Sequence, residues 1–96
     1  MTTVEPQSRL ALGRGVRLRH DAARDRWVVL APERMFIPDP TALEVLRLLD
    51  GTRSVTQIAE ELAVRYTAPQ AVIEADILMM LQELLDKGVV VLCEGA

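Results

Sequence analysis

One cysteine and one histidine among 96 residues leave this chain no disulfide framework and no Cys/His zinc site built by a single copy. Its three aromatic residues, Trp27, Phe36 and Tyr66, offer few stacking platforms for single-stranded nucleic acid or sugars. No apolar run approaches the ~18 residues needed to span a bilayer. The opening Met1-Thr2-Thr3-Val4-Glu5-Pro6 lacks the charged-then-apolar pattern of a signal segment, so a soluble cytoplasmic protein is expected. A phosphate-cradling loop is missing too: Gly13-Arg14-Gly15 is too short, and no helical pattern follows it.

Catalytic chemistry is equally thin. His20 alternates with the apolar positions of a strand and has no evident nucleophile to serve. Cys93 has no basic neighbour in sequence that would lower its thiol pKa. Glu60 and Glu61, adjacent on a helix, point about 100° apart and do not form an acid/base pair on one face. No catalytic residue, no metal site and no enzymatic activity are expected.

What the chain does have is apolar content and pattern. Half its residues are hydrophobic and about a quarter charged, which suits a folded chain, and its length suits one domain. The charge is uneven. Through Asp39 seven arginines oppose five acids, giving +2; from Pro40 onward four bases oppose nine acids, giving −5; together they make the net −3. A mildly acidic chain is a poor phosphate binder overall.

Residues 1–8 are polar without a period and are expected to form a flexible tail, with residues 9–96 as a single domain. Val16-Arg17-Leu18-Arg19-His20 alternates as a half-buried strand does. Trp27-Val28-Val29-Leu30-Ala31, apolar on both faces, predicts a central strand. Pro32-Glu33 marks a turn into a third short strand, Arg34-Met35-Phe36-Ile37, stopped by Pro38. The fold class expected is α+β: a three-stranded antiparallel β-meander followed by three α-helices, winged helix-turn-helix-like.

Asp39 as N-cap and Pro40 at the first helical position open helix one, whose Ala42, Val45, Leu46 and Leu49 share a face, with Asp50-Gly51 as a left-handed stop. Ser54-Val55-Thr56-Gln57 reads as a capping box for helix two, striped by Val55, Ile58, Ala59, Leu62 and Tyr66. Thr67-Ala68-Pro69-Gln70 restarts the chain into helix three, which runs to about Lys87 with Gly88 as its stop. There Ile73, Ile77, Leu78, Met80, Leu81, Leu84 and Leu85 form the core arc, while Val72 and Met79 lie opposite, among acids. Val89-Val90-Val91-Leu92 follows as a short strand or extended tail.

A winged helix usually reads DNA by laying its third helix in the major groove. Here that helix carries Glu74, Asp76, Glu83 and Asp86 against a single base, Lys87, and acids facing phosphates lower affinity. What remains is an edge. The third strand is an outer strand with three consecutive apolar residues, Met35, Phe36 and Ile37; exposed apolar edges invite pairing with another chain. Helix three beside it would supply the second wall of a groove, with acids for a basic peptide segment.

Three stretches together resemble the coenzyme PQQ synthesis protein D family. They are Arg14-Gly15-Val16-Arg17-Leu18 with Arg26-Trp27-Val28-Val29-Leu30-Ala31-Pro32-Glu33-Arg34; Leu46-Arg47-Leu48-Leu49-Asp50-Gly51 with Val55 and Ile58; and Ile73-Glu74-Ala75-Asp76-Ile77 through Leu81, Leu84 and Lys87-Gly88. The likeness runs from about Leu10 to Leu92. It implies a small winged-helix peptide chaperone, the recognition element of a ribosomally made, modified peptide. Such a protein binds the precursor peptide of pyrroloquinoline quinone (PQQ) and presents it to a radical SAM enzyme, which joins a Glu and a Tyr side chain of the peptide. No cofactor is implied for the domain itself, the iron–sulfur clusters belonging to the partner enzyme; neither nucleic acid nor membrane is an expected partner.

In related elements the peptide adds as a strand to the third strand and lies against the third helix. On that basis the peptide is expected to pair with Arg34, Met35, Phe36 and Ile37 and to touch Asp76, Met79, Met80 and Glu83. Two other readings stand beside this one: a DNA-binding winged helix, opposed by the acidic third helix, and a structural subunit docked to a larger enzyme. The stiff Pro38-Asp39-Pro40 connection between sheet and helices, with the apolar edge, leads to the expectation of a homodimer when peptide is absent and a monomer when it is bound.

Overall fold

The computed structural model describes residues 3–32 and 34–93. Its elements run β1 (Arg9–Leu12), β2 (Arg17–Asp21), β3 (Arg26–Ala31), β4 (Arg34–Phe36), α1 (Pro40–Leu48), α2 (Val55–Tyr66), α3 (Gln70–Asp86) and β5 (Val90–Cys93). The expected meander is β2–β3–β4, antiparallel, with β3 in the middle. Leu18 pairs with Val29 and Val29 with Phe36, so one face of this sheet carries Leu18, Val29 and Phe36 toward the core. The turn expected at Pro32-Glu33 has Glu33 outside the described residues.

The strands form two sheets, which corrects the expectation of one. β1 pairs with β5 antiparallel, setting Leu10 opposite Leu92 and Leu12 opposite Val90. Four residues with little alternation give no local strand signal; a partner some eighty positions away completes the ladder. Leu10 and Val90 are both buried there.

Residues 3–8 are packed against the helices, unlike the tail expected over residues 1–8; Met1 and Thr2 lie outside the described residues. Val4 is buried, and its N–H donates to Gln82 Oε1 on α3 at 2.8 Å. The carbonyls of Ser8 and Pro6 accept from the N–H groups of Val55 and Thr56, each at 3.0 Å. Those are the first donors of α2, which its own helix cannot satisfy. A segment with no period of its own is held here by the unmet hydrogen-bonding of another element.

The helix boundaries follow from their caps. Asp39 accepts from the Ala42 N–H at 2.8 Å. Ser54 and Gln57 close the reciprocal box, Gln57 N–H to Ser54 Oγ and Ser54 N–H to Gln57 Oε1. α3 ends as expected at Gly88, φ +77°, where the Val89 N–H reaches back to the Leu84 carbonyl at 2.9 Å. Gly51 is left-handed, φ +81°, but it is not the cap of α1, which ends at Leu48 with Leu49 extended. Its N–H donates to the Leu10 carbonyl, turning the loop onto β1, and a side chain at this position would press on Cys93 Sγ at 3.2 Å.

The core gathers Val45 and Leu46 of α1, Val55, Ile58, Ala59 and Leu62 of α2, and Ile77, Leu81 and Leu84 of α3 against Val29, Leu10 and Val90. Tyr66, placed on the α2 stripe by periodicity, is half exposed. It sits one turn beyond Leu62, beside the left-handed Thr67 that ends the helix, where no core remains to cover it. Val72 and Met79 are exposed on the far side of α3, as the wheel predicts.

Candidate functional site

β4 is the terminal strand of its sheet, so one row of its backbone groups has no strand beside it. Between this edge and α3 runs a groove of about 630 Å³. One wall is Arg34, Met35, Phe36 and Ile37; the other is Met80, Glu83 and Leu84 of α3 with its C-cap Lys87. Pro38, Asp39 and Ala42, and Val89 just before β5, complete its lining.

The floor is apolar and the rim polar. Phe36 and Met80 pack against the core cluster from the two walls, and Leu84 belongs to that cluster. Met35 and Ile37, by contrast, are 61% and 52% exposed, a large apolar surface to leave beside a free edge. On the rim Lys87 Nζ lies 2.9 Å from Glu83 Oε1, one helical turn away. Asp39 is already engaged in capping α1.

Six of the eight residues expected at a peptide site are brought together by this groove: Arg34, Met35, Phe36, Ile37, Met80 and Glu83. Asp76 and Met79 do not line it. Asp76 shares the Glu83 side of α3 but lies two turns nearer the helix start, beyond the groove's reach. Met79 is turned about 100° from Met80 and is 74% exposed on the outer face. Leu84, Lys87, Pro38, Asp39, Ala42 and Val89 were not anticipated as lining. The four-residue spacing of Glu83 and Lys87 is a sequence signal for that rim; the turn of Pro38–Ala42 back toward α3 leaves none.

The residues weighed for chemistry lie elsewhere. His20 Nε2 on β2 is 3.2 Å from Asp25 Oδ1, and its ring rests on Trp27 at 5.1 Å between centroids. The Arg47 guanidinium also lies over that indole, 5.3 Å from the ring centre. Cys93 is half-buried on β5. Among the described residues no group of three or more His, Cys, Asp or Glu is placed to hold a metal ion, and no helix is long and apolar enough to cross a membrane.

A sequence model described as coenzyme PQQ synthesis protein D (PqqD) matches residues 26–90. The chain is 54% identical over 86 residues to a PqqA binding protein of Rhodopseudomonas palustris (strain BisB5), covering 90% of this chain and 84% of that one. It is 48% identical over 87 residues to a PqqA binding protein of Xanthomonas oryzae pv. oryzae (strain KACC10331 / KXO85), covering 91% and 95%. In three dimensions it is similar to the solution NMR structure of the PqqD truncation of Methylobacterium extorquens PqqCD, a stand-alone recognition element for ribosomally synthesized and post-translationally modified peptides. The TM-score is 0.81 at 48% identity, covering 94% of this chain and 96% of that one. Against the crystal structure of PqqD from Xanthomonas campestris the TM-score is 0.55 at 46% identity, covering 88% and 94%. A match over most of the sequence, joined to the same arrangement of strands and helices, places this chain in the coenzyme PQQ synthesis protein D (PqqD) family.

Proposed function

We propose that this chain is a non-catalytic chaperone of PQQ biosynthesis that binds the precursor peptide PqqA along β4 and presents it to a radical SAM enzyme. The observation that carries this reading is the groove: an unpaired, apolar strand edge facing a helix across about 630 Å³. A peptide entering it as a further strand satisfies the outward backbone groups of Arg34–Ile37, which supplies affinity, while alternate side chains reach Phe36, Met80 and Leu84, which supplies specificity. The Glu83 carboxylate and the Arg34 guanidinium stand on opposite walls, so a peptide carrying both charge signs is accommodated. The names of the relatives, PqqA binding proteins, support the identity of the peptide. In this reading the meander is the wing of a winged-helix-like domain, its edge given to peptide. DNA binding is opposed by the four acids of α3.

The test is an NMR titration of isotope-labelled chain with PqqA. Amides of Arg34–Ile37 and of Met80–Lys87 are expected to shift and saturate, while those of β2 stay in place. Shifts confined to β2, or none at saturating peptide, overturn the proposal.

A further inference from the structure

The sheet that offers its edge to the groove has a second face. Cross-strand register puts Arg17 opposite Leu30, Arg19 opposite Val28, Asp21 opposite Arg26, and Leu30 opposite Met35. Side chains alternate along a strand, so these residues share the face turned away from Leu18, Val29 and Phe36. Its centre is apolar. Val28 is 5% exposed yet stands apart from the core cluster; its same-face neighbours are Arg19 across the ladder and Arg26 and Leu30 along β3. Around that centre the charge is positive. Asp21 is the one acid at a paired position, and it is answered by Arg24 at 3.9 Å and Arg26 at 3.8 Å. Arg17 and Arg19 are exposed, and among the described residues their side chains have no ion-pair or hydrogen-bond partner. Two unpaired guanidiniums two positions apart, beside Leu30 and a mostly exposed Met35, make a basic surface with an apolar middle, on a chain whose net charge is −3.

Met35 belongs both to this face and to the groove wall. A peptide strand added outside β4 continues the pleat, so every second side chain of the peptide joins the basic face beside Met35. A protein seated on that face therefore meets the bound peptide directly, without entering the groove.

We infer that the outer face of the β2–β3–β4 sheet is a docking surface for an acidic face of the enzyme that modifies the bound peptide, with Arg17 and Arg19 as its charged contacts. This rests on the presentation role proposed above. Rim charges of this kind steer and orient association, and their effect weakens with salt.

The experiment measures binding of that enzyme to the chain–PqqA complex by calorimetry, for the wild type and for the double variant Arg17→Glu/Arg19→Glu, with peptide affinity measured separately. Charge reversal is expected to weaken enzyme binding by at least about tenfold and to leave PqqA affinity within about twofold, because neither arginine lines the groove. Wild-type enzyme binding is expected to fall as salt rises. If the reversal unfolds the chain, Arg17→Gln/Arg19→Gln decides, with a smaller loss in the same direction. Unchanged enzyme affinity in a folded variant overturns the inference. So does random duplex DNA bound through the same two arginines, or a dimer of the chain that their substitution abolishes. Failure of PqqA to bind the wild type overturns the presentation role, a separate result from a separate measurement.

Discussion

The two edges of one three-stranded sheet differ in almost every respect. At β2 the residues Arg17, Arg19 and His20 are exposed, Leu18 turns to the core, and Asp21 is partly covered on the outer face beside Arg26. At β4 the exposed residues are Arg34, Met35 and, just beyond, Ile37, with Phe36 turned to the core. Both edges present unpaired backbone. The β2 edge carries the charged side chains with which proteins commonly discourage pairing with a stray strand. The β4 edge is apolar and has α3 as a wall standing across from it. With β4 as the proposed peptide site, the contrast is that a free edge serves as a receptor where a wall lies beside it to select the entering strand, and is guarded by charge where no wall does.

The largest effect on this contrast comes from below both edges. Leu81 is fully buried where α3 meets the core. Leu81→Ala is expected to cost about 2–5 kcal/mol, a large share of the roughly 5–15 kcal/mol that holds a domain folded. Urea denaturation measures it, and peptide binding should weaken as the folded population falls.

A sharper break makes the β4 edge resemble the β2 edge. Met35 and Ile37 are mostly exposed, so Met35→Lys/Ile37→Lys should leave the melting temperature nearly unchanged. PqqA affinity is expected to drop by about tenfold or more, or roughly 1.4 kcal/mol upward. Calorimetry beside a thermal melt separates the two effects; a folded variant with wild-type affinity would show that the edge is not the receptor.

The smallest effect lies away from both edges, in the loop between α1 and α2. Asp50 accepts from the backbone N–H groups of Arg53 and Thr52 and from the Thr52 hydroxyl, and these bonds lower its pKa from 3.8 to about 2. A carboxyl whose folded pKa is depressed contributes stability in full above its unfolded value, and the contribution is lost as pH falls through the folded one. Asp50→Asn should therefore melt slightly below the wild type at neutral pH. The gap should close between about pH 3.8 and 2, with peptide affinity the same throughout. Melting curves across that range check the sign.

Local chemistry was enough for much of this molecule. Asp39-Pro40 and Ser54 with Gln57 started helices where they were expected, because a cap satisfies donors within three residues of itself. Val28-Val29 made a central strand, and the spacing of Ile77, Leu81 and Leu84 set the buried face of α3, because side-chain period is a property of the backbone. The site was half legible for the same reason: Met35-Phe36-Ile37 stood out as an apolar edge, and Met80 and Glu83 as helix positions near it. Tertiary structure decided what depends on distance between elements. The pairing of Arg9–Leu12 with Val90–Cys93 joins the two ends of the described chain, and no window along the sequence contains both. The docking of residues 3–8 answers the open N–H groups of α2, a need that belongs to another element. That the groove takes in Met80, Glu83 and Leu84 of α3 but not Asp76, two turns earlier, depends on which part of the helix packs beside β4. Periodicity assigns a residue to a face of its own helix; only packing assigns that face a neighbour.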